Sequence, residues 1–114
     1  MNWKRFERRS HGRLLWIAAA GCILGQAAQA QTQSNIVRGQ GIAERACAGC
    51  HAMDGGQGSV VQGIAVPSLR AIAGRGWSAE RLQAFITTPH RPMPATPLEM
   101  SEVRDLADYI PSLR

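Results

Sequence analysis

The sequence predicts an all-α fold, and three observations support that prediction. Apolar residues recur at helical spacings of three and four in several separate stretches. These stretches begin at polar residues that suit helix N-caps and end near glycine or proline. No alternating run of apolar and polar residues of useful length occurs, and the chain has no internal repeat. The predicted architecture is a bundle of short helices.

The first helix of the bundle is predicted to follow a short frayed segment, residues 31–34. Either Ser34 or Asn35 is placed to cap it, because both side chains accept a hydrogen bond from a free backbone N–H. Spacings of three and four then align one stripe, which consists of Ile36, Gly39, Ala43 and Cys47. The small residues in its middle would let another helix approach the backbone closely.

The middle of the chain is predicted to contain a flexible loop followed by two short helices. Four glycines and the lack of a helical period indicate a loop over residues 52–63. Ser68 is placed to cap a helix over residues 69–73, and Ser78 to cap a second helix that ends before Pro89. The apolar face of the second helix consists of Leu82, Phe85 and Ile86.

The last helix is predicted from a capping box. In Thr96-Pro97-Leu98-Glu99, Thr96 is the expected N-cap, proline occupies the first helical position and Glu99 the third. Pro111 limits how far the helix extends. Its apolar face consists of Val103, Leu106, Ala107 and Ile110.

Residues 1–30 are predicted to be a secretory signal peptide. Five Lys or Arg and one Glu lie within the first 13 residues, and an apolar run over residues 14–24 follows. Ala28-Gln29-Ala30 is a small-x-small cleavage site. The apolar run is too short to span a bilayer comfortably, which favours removal over a permanent anchor.

Two other kinds of export signal fit the sequence less well. Arg8-Arg9 resembles a twin-arginine signal, but Ser10-His11-Gly12 follows where a hydrophobic pair is expected. Cys22 resembles a lipoprotein attachment site, but Ala19 stands where Leu is usual, and apolar residues continue beyond it. We therefore expect cleavage near Ala30-Gln31 and no lipid anchor.

The mature chain, residues 31–114, would be 84 residues long and form one domain. A core built from so few residues is marginal without a cofactor. Five of the 13 basic and one of the eight acidic residues leave with the signal peptide, so the net charge falls from +5 to +1. A nearly neutral chain gives no indication of nucleic acid or an anionic membrane as its partner.

The prediction of function depends on Cys47-Ala48-Gly49-Cys50-His51. Two thiols three residues apart, followed by histidine, are what covalent attachment of a c-type haem requires. Side chains at i and i+3 share a helix face, so both sulfurs can reach the porphyrin vinyl groups while His51 offers a nitrogen to the iron. A thioredoxin-like site would need a βαβ context, and a structural zinc site would need four ligands, so that His90 would have to join these three. The motif therefore predicts one covalently bound haem c.

A second axial ligand is predicted in a proline-rich segment, Pro89-His90-Arg91-Pro92-Met93-Pro94. Such a segment has few backbone conformations to lose on folding, so it holds one side chain in place at low entropic cost. Met93, between two prolines, offers a thioether. Met53 is too close to the motif in sequence to reach the opposite haem face, and Met100 is expected within a helix. His90, the remaining alternative, is not flanked by a pair of prolines and is expected to be exposed.

These features together resemble the small, exported class I c-type cytochromes. The likeness covers about residues 36–113 and includes the CxxCH motif, Pro67-Ser68-Leu69, Pro92-Met93-Pro94 and the last helix over residues 105–110. It implies a cytochrome c-like bundle of three to five short helices around a covalently bound haem.

The resemblance also implies a role for each site residue. Cys47 and Cys50 would form the thioether bonds, His51 would be the proximal ligand and Met93 the distal ligand. The carbonyl of Pro67 would accept a hydrogen bond from the other ring nitrogen of His51, which fixes the orientation of the imidazole.

Two structural expectations follow from the same resemblance. The first and last helices should cross near Gly39 and Tyr109. Many relatives have an aromatic residue where Ala43 stands, which leaves the closeness of that crossing open. Trp77 would either donate a hydrogen bond to a haem propionate or pack in the core.

The predicted function is that of a periplasmic electron carrier, not an enzyme, since no side chain is placed for acid, base or nucleophilic catalysis. A monomer would meet larger redox proteins transiently: a dehydrogenase, an oxidase or a membrane electron-transfer complex. Two alternatives stay open. The chain would be a haem c subunit of a dehydrogenase complex, or a haem ligand sensor in which Met93 is displaced or never bound.

Overall fold

A computed structural model describes residues 10–114, and their side chains from Gly25 onward. The basic start of the expected signal peptide, with Arg8-Arg9, and the side chain of Cys22 lie outside the described part. The chain divides into two units, Met1–Thr32 and Gln33–Arg114. Within the described residues, no helix is long and apolar enough to cross a membrane.

Helices dominate the described residues, which confirms the predicted all-α class. The elements in chain order are α1 (Ser10–Ala46), β1 (Val60–Val61), β2 (Ile64–Ala65), α2 (Leu69–Ala73), α3 (Ala79–Thr87), α4 (Met100–Tyr109) and a 3-10 helix (Ile110–Leu113). The first unit contributes the early part of α1 to this list, and all later elements belong to the second unit.

A small hairpin was not predicted. β1 and β2 pair antiparallel, with Val60 opposite Ala65. The two residues between the strands, Gln62 and Gly63, have φ angles of 52° and 78°. Positive φ at both central residues is what a tight type I′ hairpin turn requires. Strands of two residues are too short to show an alternating pattern, so no strand could be predicted here.

α1 begins much earlier than predicted. Residues 31–34 are helical rather than frayed, and Ser34 and Asn35 lie within the helix rather than at its N-cap. Residues 27–33 are mostly Ala and Gln, which favour helix, and no Gly or Pro interrupts them. A polar composition alone therefore did not end the helix.

α1 and α4 cross with close backbone contact at Gly39. A Cβ atom at this position would lie 2.6 Å from the Cβ of Tyr109 and would overlap the carbonyl oxygen of Asp105. Ala43, one turn further along α1, is completely buried at 0% exposure. The predicted crossing is confirmed, and the small residue at position 43 is compatible with close approach. We call this contact of Gly39 and Ala43 with α4 the α1–α4 crossing.

A polar network stabilises the α1–α4 crossing. The guanidinium of Arg38 donates to both carboxylate oxygens of Asp105, at 2.8 and 3.0 Å. This hydrogen bond raises the pKa of Arg38 above its ordinary value. Arg38 also donates to Ser34 Oγ at 2.7 Å, and Asn35 donates to Asp108 at 2.8 Å. Both residues expected as caps therefore serve this network instead.

α2 and α3 begin at the predicted N-caps. Ser68 Oγ accepts from the N–H of Ala71 at 3.1 Å, and Ser78 Oγ accepts from the N–H of Arg81 at 3.3 Å. Their apolar faces enter a core shared with α1, α4 and the 3-10 helix. The buried members are Ile42, Ala43, Leu69, Ala73, Leu82, Leu106, Ala107, Tyr109 and Ile110. Phe85, expected on the apolar face of α3, is 43% exposed.

α4 begins three residues later than predicted. Its first residue is Met100, its N-cap is Glu99, and the carboxylate of Glu102 accepts the N–H of Glu99 at 3.0 Å. The N–H of Leu98 donates to the carbonyl of Thr96 at 2.8 Å, which closes a tight turn that is not helical. The sequence contains two overlapping capping boxes, and Leu98 packs against the core when the later one is used.

Candidate functional site

The CxxCH motif lies directly after α1, where helical hydrogen bonding becomes irregular. The N–H groups of Cys47 and Ala48 both donate to the carbonyl of Ala43, at 2.9 and 3.0 Å. The N–H groups of Cys50 and His51 both donate to the carbonyl of Cys47, at 3.1 and 2.9 Å. Cys47, Cys50 and His51 are thereby held in a single turn.

The two cysteines of the motif are free thiols in different environments. Cys50 is exposed, whereas Cys47 is half-buried and packs against the core. Burial raises the pKa of the Cys47 thiol, and the nearby positive charge of Arg45 opposes part of that rise. Neither thiol is joined to the other, so both can form a thioether.

The imidazole of His51 is oriented by Pro67. His51 Nδ1 lies 2.7 Å from the carbonyl oxygen of Pro67. A carbonyl only accepts hydrogen bonds, so Nδ1 carries the proton and donates it, and Nε2 keeps a lone pair for a metal. This confirms the predicted contact between Pro67 and the histidine ring.

The chain between the motif and Pro67 folds back on the motif instead of forming the predicted flexible loop. We call residues 47–67 the attachment segment. Three backbone hydrogen bonds of 2.9 Å hold its return path: Ser59 to Cys50, Val66 to Ser59, and Leu69 to Ala52. The sequence did not predict these three hydrogen bonds, because their donors and acceptors are all main-chain groups.

Met93 lies in a tight turn within the proline-rich segment. The N–H of His90 donates to the carbonyl of Met93 at 3.2 Å, and the peptide between Arg91 and Pro92 is cis. Arg91 donates to the side chain of Gln62 in the hairpin turn at 3.2 Å. The side chain of Met93 is half-buried. The proline-rich segment that contains Met93 therefore contacts the attachment segment.

His90 is half-buried, not exposed as expected. Its ring packs on Phe85 with the two ring centroids 4.0 Å apart, and its Nδ1 lies 2.9 Å from the carbonyl oxygen of Thr88. A ring nitrogen beside a carbonyl acts as a donor. The imidazole of His90 therefore contacts Phe85 and Thr88, which closely precede it in the sequence.

Trp77 packs partly against the core, one of the two arrangements expected for it. Its ring meets Phe85 edge to face at a centroid distance of 5.0 Å. The guanidinium carbons of Arg75 and Arg81 lie 5.2 and 4.6 Å from the Trp77 ring centroid. These cation–π contacts hold both arginines beside an aromatic surface.

The donor set fits a haem better than a bare metal ion. Among the described residues, no three His, Cys, Asp or Glu side chains are grouped so as to hold a metal. The structure brings together two free thiols and one imidazole whose Nδ1 faces a carbonyl, which are the groups that covalent haem attachment uses. Met93 lies in a separate turn, linked to this group through Arg91 and Gln62.

Comparisons with known proteins agree with this chemistry. Residues 34–110 match the family model described as cytochrome c oxidase, cbb3-type, subunit III. Over 77 residues the chain is 43% identical to cytochrome c-552 of Bradyrhizobium diazoefficiens. The aligned stretch covers 67% of this chain and 72% of that protein. No solved structure matches the chain significantly.

The matched range includes the CxxCH motif, Pro67, Met93 and all of α4. Members of this family bind covalently attached haem c and transfer electrons; they are not enzymes. The helical fold, the donor set and both matches lead to one assignment. The chain belongs to the class I c-type cytochromes.

Proposed function

We propose that this protein is a periplasmic carrier of single electrons. Cys47 and Cys50 form the thioether bonds to one haem c, and His51 and Met93 are its two axial ligands. The main support is the 2.7 Å contact between His51 Nδ1 and the Pro67 carbonyl oxygen. It presents the Nε2 lone pair of a fixed imidazole beside two free thiols. The bound group supplies an iron that takes up and releases one electron.

The residues around His51 set how strongly it donates to the metal. A hydrogen bond from Nδ1–H to a carbonyl makes the imidazole more basic, which favours the ferric state. The thioether of Met93 is soft and favours the ferrous state. Two protein ligands also leave no open position for a substrate, which suits electron transfer.

Met93 is supported as the second ligand by the positions of its competitors. The prolines and the bond from His90 N–H to the Met93 carbonyl restrain the segment that holds it. The ring of His90 packs on Phe85, with the two ring centroids 4.0 Å apart. Met53 packs against the core, and Met100 is 51% exposed on α4.

We also propose that residues 1–30 direct export and are removed, so that residues 31–114 act in the periplasm as a monomer. The support is the order of a basic start, an apolar run and a small-x-small site. The mature chain then keeps only the two cysteines of the motif. Thioether formation would protect both from becoming a disulfide in an oxidising compartment.

The test is to express the full chain with haem-maturation machinery and to record absorption spectra and intact mass. We expect a low-spin spectrum and the mass of residues 31–114 plus one haem. Met93→Ala should lose the sulfur-to-iron charge-transfer band of the ferric protein, whereas Met100→Ala should keep it. A colourless product with the mass of the polypeptide alone would contradict the proposal.

A second candidate function is a haem c subunit of a larger oxidase or dehydrogenase complex. The specific observation in its favour is the matched family model, whose description names a subunit of a cbb3-type oxidase. Mild extraction from the source cells, followed by size separation, distinguishes the two. A free carrier elutes alone at monomer size, whereas a subunit elutes at fixed stoichiometry with a catalytic chain.

A further inference from the structure

We propose that Gly58 is a positioning residue for the His51 imidazole. This inference rests on the proposed function in one respect: it takes His51 as an iron ligand. Gly58 lies where the chain that leaves the CxxCH motif passes between two main-chain carbonyls. A Cβ atom added there would lie 3.0 Å from the carbonyl oxygen of Cys50 and would overlap the carbonyl oxygen of Val66.

The overlap at Gly58 cannot be relieved by a side-chain rotation, because both neighbouring atoms belong to the backbone. The other glycines nearby differ in this respect. A Cβ at Gly55 would lie 3.6 Å from Cδ of Arg70, an ordinary contact with a flexible side chain. Of the two, Gly58 alone requires the backbone around it to move if it is replaced.

A displacement of the Val66 carbonyl is transmitted to His51 through Pro67, the next residue in the chain. That carbonyl belongs to the planar peptide unit that joins Val66 to Pro67. The ring of Pro67 fixes φ near −65°, so rotation at that bond cannot absorb the shift. The carbonyl of Pro67 therefore moves as well, and it is the group that holds His51 Nδ1 at 2.7 Å.

The opposite side of Gly58 is fixed to the motif itself. The next residue, Ser59, donates its N–H to Cys50 at 2.9 Å and accepts from the N–H of Val66 at 2.9 Å. Gly58 is thus enclosed between the turn that carries the thiols and the strand that leads to Pro67. A side chain at position 58 would push these two parts away from each other.

The expected result is a weaker hydrogen bond between His51 and Pro67. A less polarised imidazole donates less to the metal and stabilises the ferric state less. Gly58→Ala should therefore raise the reduction potential and increase the exchange rate of the His51 Nδ1 proton. Gly55→Ala should leave both quantities at their wild-type values.

The experiment uses the haem-loaded protein that is obtained when the full chain of wild type, Gly58→Ala or Gly55→Ala is expressed with haem-maturation machinery. Potentials come from redox titration, and the ring-proton exchange rate comes from NMR of the reduced protein. A raised potential and faster exchange in Gly58→Ala alone support the proposal. Values equal to wild type, or equal changes in both variants, overturn it.

If Gly58→Ala loads no haem while Gly55→Ala does, amide exchange in the loaded wild type decides. Protected amides at Ser59 and Val66, together with a freely exchanging amide at Gly55, support the proposed role of Gly58. Rapid exchange at Ser59 and Val66 overturns it. The two proposals also fail separately. A wild type without covalent low-spin haem overturns the proposed function, whereas a normally loaded wild type with an unaffected Gly58→Ala overturns this inference alone.

Discussion

The α1–α4 crossing and the attachment segment, residues 47–67, are stabilised in different ways. The crossing is closely packed: Ala43 is 0% and Leu106 1% exposed. The attachment segment instead depends on backbone hydrogen bonds, and its hairpin leaves Val60 70% and Ile64 44% exposed. Apolar burial is the larger source of folding free energy, so the crossing should stabilise the domain more.

This difference separates two tasks within a small domain. The crossing uses side chains whose size is fixed by their neighbours, as at Gly39, and it does not involve the predicted ligands. The attachment segment uses main-chain groups to place the thiols, His51 and Pro67. Substitutions at the crossing should therefore change stability with little effect on the haem spectrum, and substitutions in the attachment segment should do the reverse.

The largest effect is expected from Gly39→Ala. The added methyl group would overlap the Asp105 carbonyl and contact Tyr109, so the helices must separate. We expect a loss of about 2–3 kcal/mol in the free energy of unfolding, measured by denaturant titration of the loaded protein. The matched control is Gly41→Ala, also within α1, where the new Cβ would have no atom within 4 Å apart from its chain neighbours and the nearby backbone of its own helix.

Gly41→Ala should be neutral or stabilising by up to about 1 kcal/mol, because alanine favours helix over glycine. The reduced absorption spectrum should stay unchanged in both variants. Equal stability of the two variants would show that the backbones at position 39 are not in close contact. A spectral change in Gly39→Ala would show that the crossing and the haem ligands are not independent.

A smaller effect is expected from Asp105→Asn in the same region. The substitution removes the charge that receives both hydrogen bonds from Arg38. We expect a measurable loss in the free energy of unfolding, smaller than that of Gly39→Ala, because a hydrogen bond to a charged group is stronger than one to a neutral group. Asp108→Asn is the matched control, since its amide oxygen can still accept the hydrogen bond from Asn35.

Asp108→Asn should therefore cost less than Asp105→Asn in the same unfolding measurement. The difference should narrow at high salt, because the side chain of Arg38 is half exposed and its charge is screened. If the two variants lose equal stability at every salt concentration, the charge of Asp105 contributes nothing beyond its hydrogen-bonding shape.

Interactions between residues close together in the sequence could be predicted from local patterns, whereas interactions between distant residues could not. The caps of α2 and α3 depend on a serine and a backbone N–H three residues away, and both were predicted correctly. The predicted starts of α1 and α4 were wrong because each region contains more than one residue that could cap a helix. Ser34 and Asn35 could cap α1, but Asn35 instead donates to Asp108 of α4, and Ser34 accepts from Arg38, which binds Asp105 of α4.

The attachment segment shows the other limit of sequence reasoning. Gly55, Gly56, Gly58 and Gly63 look alike in the sequence, and their count predicted only a flexible loop. In the structure Gly63 permits a positive φ, whereas Gly58 permits the close approach of two carbonyls. These roles arise from atoms distant in sequence. The contact between His51 and Pro67 was predicted because the family resemblance supplied the partner.

The smallest expected effect is a difference in reactivity between the two cysteines of the CxxCH motif. Cys47 packs against the core next to the α1–α4 crossing, and Cys50 is exposed. Burial raises the pKa of Cys47, so at a given pH a smaller fraction of it is the reactive thiolate. In the haem-free full chain, we expect Cys47 to react with iodoacetamide several-fold more slowly than Cys50 near pH 8.

The expected pH dependence follows from the sign of this shift. Thiolate forms as the pH rises, and a raised pKa moves that rise to higher pH, so the reaction of Cys47 should keep accelerating at a pH where the reaction of the same residue in denaturant has levelled off. Mass spectrometry of the peptides gives both rates, and the chain in denaturant is the control in which the rates should converge. Equal rates without denaturant would mean that the packing around Cys47 forms only after the haem is attached.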